Sequence, residues 1–160
     1  MKAKIKDIRV DRSAARITLL GVPDVPGVAA KVFSPLAEHG IGAEMIVQNS
    51  MRGGMTDIGF LVKKERLDNA IIVCRDVAAE IEAQGVSFNT EIARVTVVGD
   101  GLTEDASVSA AMFSTLADAG VNIEMIVSDA LFITCVVGTG GAEKAADALR
   151  AALLLHNRGA

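Results

Sequence analysis

The residues best placed for chemistry are Gly21-Val22-Pro23-Asp24-Val25-Pro26-Gly27, between the apolar run Ile17 to Leu20 and an amphipathic run that begins at Val28. Two prolines stiffen this turn. Asp24 stands three residues before Gly27. That spacing predicts a cap on a helix starting near Val25, with Pro26 in its first turn. Gly27, Val28 and Ala29 then present backbone N–H groups at the positive end of the helix dipole, a seat for a carboxylate. Gly27 has no Cβ, so a ligand can approach the backbone closely. The same residues also suit a plain strand-to-helix turn that binds nothing.

Other reactive residue types do not assemble into a catalytic pattern. Cys74 and Cys135 each fall within an apolar periodic segment and read as small buried hydrophobes. There is no CxxC pair, and the two histidines, His39 and His156, sit at helix ends; no metal site or cofactor is expected. Gly99-x-Gly101 and Gly138-x-Gly140-Gly141 are too short for phosphate loops and read as turns. No glycine-rich loop followed by lysine and no acidic metal-binding cluster is present, so phosphoryl transfer has no machinery here. An acyl-phosphate hydrolase needs an arginine and an asparagine converging on one phosphate, and Arg52 lies in a hairpin turn without such a partner.

Composition narrows the partners. Half of the 160 residues are hydrophobic, with no Trp or Tyr and only five Phe. The core must be aliphatic, and the stacking platforms of single-strand nucleic-acid binders are missing. A net charge of −4 without a basic block excludes a polyanion partner. No apolar run approaches the ~18 residues of a membrane span, and no leader pattern is seen, so a cytoplasmic, membrane-free protein is expected.

The elements that must position the loop follow from periodicity. Strands are predicted over Lys4 to Val10 and Arg16 to Gly21, and a helix from the loop to about Glu38. Pro35 should bend or shorten that helix, and Gly40 should end it. Strands at Ile41 to Asn49 and Met55 to Val62 flank a Gly53-Gly54 turn. A helix follows from Leu67 to Ile81, closed by Gly85, then a strand over Val86 to Ile92.

The pattern then repeats. FSPLAEHGIGAEMIV at residues 33–47 matches FSTLADAGVNIEMIV at residues 113–127, with nine of fifteen positions identical at a constant offset of 80. This is an internal duplication. The second copy continues with a strand, Leu131 to Val137, and a helix, Ala142 to about Leu155. It lacks a fourth strand, and Lys4 to Val10 is the spare one. The expected fold is therefore α+β: two ferredoxin-like βαββαβ units, one over 16–92 and one over 94–156, interlocked because strand 4–10 completes the second.

Particular residues narrow the family. Gly21-Val22-Pro23-Asp24-x-Pro26-Gly27-Val28-Ala29-Ala30, Met45-Ile46-Val47-Gln48-Asn49 and Thr56-Asp57-Ile58-x-Phe60 resemble the first ACT repeat of aspartate kinases. Val97-Val98-Gly99-x-Gly101, Met112-Phe113, Asn122-Ile123-Glu124-Met125-Ile126 and Cys135-Val136-Val137 resemble the second. The resemblance spans essentially the whole chain. It implies an amino-acid-binding regulatory subunit that mediates feedback by threonine, lysine or both and has no kinase activity of its own. It implies a homodimer, a complex with a kinase-bearing catalytic subunit, or both. A kinase-free ACT protein that dimerises and regulates another enzyme is the alternative.

The same resemblance assigns the site. In the family the ligand lies where one repeat faces another, the paired sheets forming an eight-stranded layer. The effector carboxylate would meet the turn at Val25, Gly27, Val28 and Ala29, and its ammonium would meet Asp24 and the Gln48 amide oxygen. Asn122 and Ile123 would close the site from the facing repeat. A mirrored site, with Glu44, Thr103, Ser128 and Asp129, looks eroded: its loop lacks the family's Pro-Gly, and Ala130 stands where the family has a glutamate. The intact site's short polar boundary favours threonine over lysine.

Overall fold

The structure is a computed structural model and describes residues 2–155. The chain divides into two compact units, residues 13–90 and residues up to Arg12 together with those from Glu91 onward. Among the described residues, eight strands and four α-helices run in chain order: β1 (Lys4–Asp11), β2 (Ala14–Pro23), α1 (Val28–Glu38), β3 (Glu44–Ser50), β4 (Met55–Lys63), α2 (Leu67–Glu80), β5 (Gly85–Asn89), β6 (Ile92–Asp100), α3 (Ala106–Asp118), β7 (Ile123–Ser128), β8 (Phe132–Gly138) and α4 (Ala142–Leu149).

In the first repeat the antiparallel sheet runs β3-β4-β2-β5. Alternation along β2 and β4 sends Ala15, Ile17, Leu19, Ile58, Phe60 and Val62 to one face. There they pack with Val28, Val32 and Leu36 of α1 and Ala70, Ile71, Cys74 and Val77 of α2. Phe33 meets Phe60 edge to face, with centroids 5.1 Å apart. Each of these residues sits on a stripe that its element's period directs inward.

In the second repeat the sheet runs β1-β6-β8-β7. The spare N-terminal strand does complete it: β1 pairs antiparallel with β6 from Lys4↔Asp100 to Asp11↔Arg94. Ile8, Val95, Val97, Ile133 and Cys135 form the sheet side of this core, against Met112 and Leu116 of α3 and Ala145, Ala146 and Leu149 of α4. The Arg94 guanidinium grips the Asp11 carboxylate, and Lys6 pairs with Asp100 at 2.7 Å, pinning both ends of β1. The α+β interlocked architecture expected from strand counting is thus the one observed.

Several local expectations are corrected. The first helix starts at Val28, not Val25, because Pro26 and a left-handed Gly27 (φ 89°) hold the preceding residues in a turn. Pro35 does not shorten α1, which continues to Glu38. It falls in the last turn, where its missing N–H costs one bond, and its own carbonyl accepts from the His39 N–H at 3.2 Å. Gly40 (φ 66°) ends α1 as expected. Gly85 does not end α2: Glu82 takes the left-handed position (φ 59°), and Gly85 opens β5. The single strand expected over 86–92 is two, since β5 stops at Asn89 and Ile92 opens β6. Strand β3 begins at Glu44, while Ile41 is buried in the connection before it. Met45 and Met125 are half-buried, each beside a register shift in its edge strand. The last helix is regular only to Leu149 and widens into a π-turn over Arg150–Leu154. His156 lies outside the described residues.

Both cysteines are buried and free. Burial pushes the Cys74 thiol up to about 11 and that of Cys135 up to about 12, so both stay protonated at neutral pH. Among the described residues no group of three His, Cys, Asp or Glu is placed to hold a metal ion, and no helix is long and apolar enough to cross a membrane.

Candidate functional site

The β2–α1 loop is shaped by its backbone. Gly27 occupies the position before the helix at φ 89°, and no side chain caps α1 there. The Val28 N–H is spent on Val25 O at 3.2 Å, so Val28 is not a free donor as expected. Gly27, Ala29 and Ala30 have N–H groups with no acceptor within bonding range among the described residues. A Cβ built on Gly27 would meet nothing within 4 Å. These orphan donors and the helix dipole make the start of α1 an open anion seat.

Asp24 is not the cap that its spacing suggested. Its N–H donates to Gly54 O at 2.8 Å, and its carboxylate accepts from Ser50 Oγ at 3.4 Å. The residue therefore faces the β3–β4 hairpin, not the helix. Capping fails because Pro26 and Gly27 add a turn between Asp24 and the first helical residue. What remains is an exposed carboxylate beside the anion seat, and Val25 next to it is 54% exposed. Gln48 lies on β3 two residues before Ser50, so both side chains leave the same face of the strand. Asp24, Val25, Gly27, Ala29 and Gln48 thus lie in one unit, around the loop and the hairpin that touches it.

Asn122 and Ile123 belong to the other unit. Asn122 is exposed, just after the left-handed Gly120 (φ 71°), and Ile123 opens β7. Glu44 pairs with Leu61, whereas Ser50, near the loop, pairs with Thr56. The six-residue separation along β3 puts Glu44 about 20 Å from Ser50. It lines instead a cleft with Gly40, Gly42, Ala43, Lys63, Glu65 and Arg66.

The second loop is built differently, for a reason that the sequence reading missed. Helix α3 begins at Ala106, and Asp105 caps it. The Asp105 carboxylate accepts from Ser107 N at 3.1 Å, Ser107 Oγ at 2.5 Å and Ala3 N at 3.1 Å. The Ser107 hydroxyl first, then the Ala3 and Ser107 amides, hold this carboxyl below the usual range. The chain has thus filled this anion seat with its own carboxylate. An Asp two residues before a Ser at a helix start was the signal available. Thr103 is exposed in the turn before it, and Ser128 closes β7. Asp129 is spent inside its own turn, where its carboxylate accepts Leu131 N–H at 2.7 Å.

Known proteins agree with this architecture. The ACT domain family model matches residues 17–77 and 95–153. The ligand-free regulatory subunit of aspartate kinase from Thermus thermophilus has a similar structure, with TM-score 0.89 and 37% identity over 93% of this chain and 98% of that one. A chain in a structure of aspartokinase alpha and beta subunits matches with TM-score 0.88 and 30% identity, over 94% of this chain and 99% of that one. An aspartate kinase of Stutzerimonas stutzeri is 36% identical over 94% of this chain, but the match spans only 37% of that enzyme's length. With both repeats matched and nearly the full length of a solved regulatory subunit covered, this chain belongs to the ACT domain family and corresponds to the regulatory, not the catalytic, part of an aspartate kinase.

Proposed function

We propose that this chain senses threonine at the first-repeat loop and relays its occupancy to a kinase-bearing chain, as feedback control of aspartate-family amino-acid synthesis in the cytoplasm. The observation that carries the reading is the contrast between the two helix starts. At α1 the donors of Gly27 and Ala29 are open beside the Asp24 carboxylate; at α3 the same position is filled by Asp105. An amino acid brings a carboxylate for the first seat and an ammonium for Asp24 and Gln48. By the family resemblance, Asn122 and Ile123 of a second repeat act as the closing residues.

The boundary of the seat favours a short hydroxylated side chain. Lysine carries a second ammonium about 6 Å farther out, at about 1.3 Å per extended bond. That charge needs its own acceptors, and Asp129, the nearest replacement for the missing glutamate, is engaged in its turn. Titration calorimetry on this chain alone is expected to show tighter binding of threonine than of lysine. Lysine binding at least as tightly would sink the assignment.

Assembly belongs to the same reading. A matched structure holds alpha and beta subunits together, and the edge strands here expose apolar side chains: Ile46 of β3 is 52% exposed, Phe88 of β5 51% and Ile126 of β7 46%. Such edges are poorly served in a monomer. Light scattering at micromolar concentration with threonine present is expected to report a homodimer, or a heteromer once a kinase chain is added; a persistent monomer counts against it.

A further inference from the structure

We propose that Asp57 is a positioning residue for the effector loop, holding its backbone without touching the ligand. The proposal rests on the reading of that loop as the effector seat. Strand β2 pairs with β4 at Leu19↔Ile58 and again at Val22↔Thr56, with a register shift between. Two residues of β2, Leu20 and Gly21, therefore face one residue of β4, Asp57. This is a β-bulge, which bends the strand and leaves an N–H without a ladder partner. The orphan is Gly21 N–H, and the Asp57 carboxylate accepts it at 2.8 Å.

Gly21 is locked from a second side. It sits at φ 58°, and a Cβ there would fall 2.4–2.6 Å from the Gln84 side chain. The Gln84 N–H in turn donates to Leu20 O at 2.8 Å. Beyond Gly21 the chain runs through Val22 and Pro23 directly into Asp24–Ala29, so the bend at the bulge sets where the seat points. Asp57 is also the register partner of Asn49 on β3, next to Gln48. One central-strand carboxylate thus lies between the two elements that bear the candidate effector contacts.

The second repeat supplies an internal comparison. Gly101, the counterpart of Gly21 at offset 80, is also left-handed (φ 66°). Ile17 pairs with Phe60 and its counterpart Val97 with Ile133, so the position matching Asp57 is Ala130. There the contact is backbone only, with Leu102 N–H donating to Ala130 O at 3.0 Å. The carboxylate latch occurs in the repeat whose helix start is open and not in the one whose seat Asp105 fills.

The test combines two variants with hydrogen exchange. Asp57→Ala is expected to raise the threonine Kd by about tenfold or more, and Asp57→Asn to keep it within about threefold, because the amide oxygen accepts the same bond. Exchange at Asp24 and Val25, whose N–H groups bond Gly54 O and Pro23 O, should quicken in Asp57→Ala and not in Asp57→Asn. In the unmodified chain Gly21 N–H should exchange about a hundredfold slower than a free amide, a measurement that stands even if Asp57→Ala fails to fold. Wild-type affinity in a folded Asp57→Ala, an Asp57→Asn as weak as Asp57→Ala, or free exchange at Gly21 would each overturn the proposal. If the unmodified chain binds no threonine, the functional reading falls, while exchange at Gly21, Asp24 and Val25 still decides the positioning role.

Discussion

Gly27→Asp is expected to abolish threonine binding, raising the dissociation constant by at least about a hundredfold, or about 2.7 kcal/mol. The new carboxylate would occupy the open seat at the start of α1, as Asp105 does at α3. It would repel the effector's own carboxylate and consume the donors that the effector needs. The fold should survive, because a Cβ at this position meets nothing within 4 Å. The residual cost is backbone strain at φ 89°, about 1–2 kcal/mol for an L-residue and less for Asp, which tolerates left-handed geometry. Calorimetry with a parallel thermal melt separates the two effects. Retained affinity in the folded variant would remove the loop from the site. A sensor needs this energy scale: a hundredfold change in kinase output requires about 2.7 kcal/mol of differential binding between two states.

Ile8→Asp is the second large effect, and it tests the interlocked sheet. Ile8 is 3% exposed, on a strand that is far in sequence from its partner β6. Its side chain belongs to the cluster with Val95, Val97, Ile133 and Leu149. A carboxylate there would enter this aliphatic cluster; the Arg150 guanidinium, 3.4 Å from the Ile8 carbonyl oxygen, offsets part of a cost that reaches about 3–5 kcal/mol for an unpaired buried charge, a large share of the 5–15 kcal/mol typical of a whole domain. Hydrogen exchange at Val95, Val97, Ile133 and Cys135 should quicken strongly. Unchanged protection at those amides would mean that β1 does not complete this core.

Much of this was legible in the sequence because it depends on local period and on counting. The offset of 80 announced two copies of one unit, and the missing fourth strand of the second copy pointed to the run Lys4 to Val10, which pairs with β6. Gly40 marked the end of α1 because only a residue that tolerates positive φ fits that position. The helix start was not legible to the residue. Asp24, Pro26 and Gly27 satisfy a capping pattern, but pattern alone does not say that Gly27 turns left-handed and moves the first helical residue to Val28.

Contacts that cross the sheet were decided only in three dimensions. Asp57 lies 36 residues from Gly21 and Gln84 lies 63 from it, so no local spacing announces that they lock the same glycine. Ala3 and Asp105 meet only because β1 closes the second sheet, which brings an N–H from the start of the chain to the cap of α3. The sequence by itself determined the periods, the duplication and the residue types around the loop, since each is a property of neighbours along the chain. What the tertiary structure decided is the register of strands distant in sequence, which sets Asp57 against Gly21 and brings the Ala3 N–H to Asp105. Register is a collective choice: a one-residue slip would turn every core side chain of a strand to the wrong face.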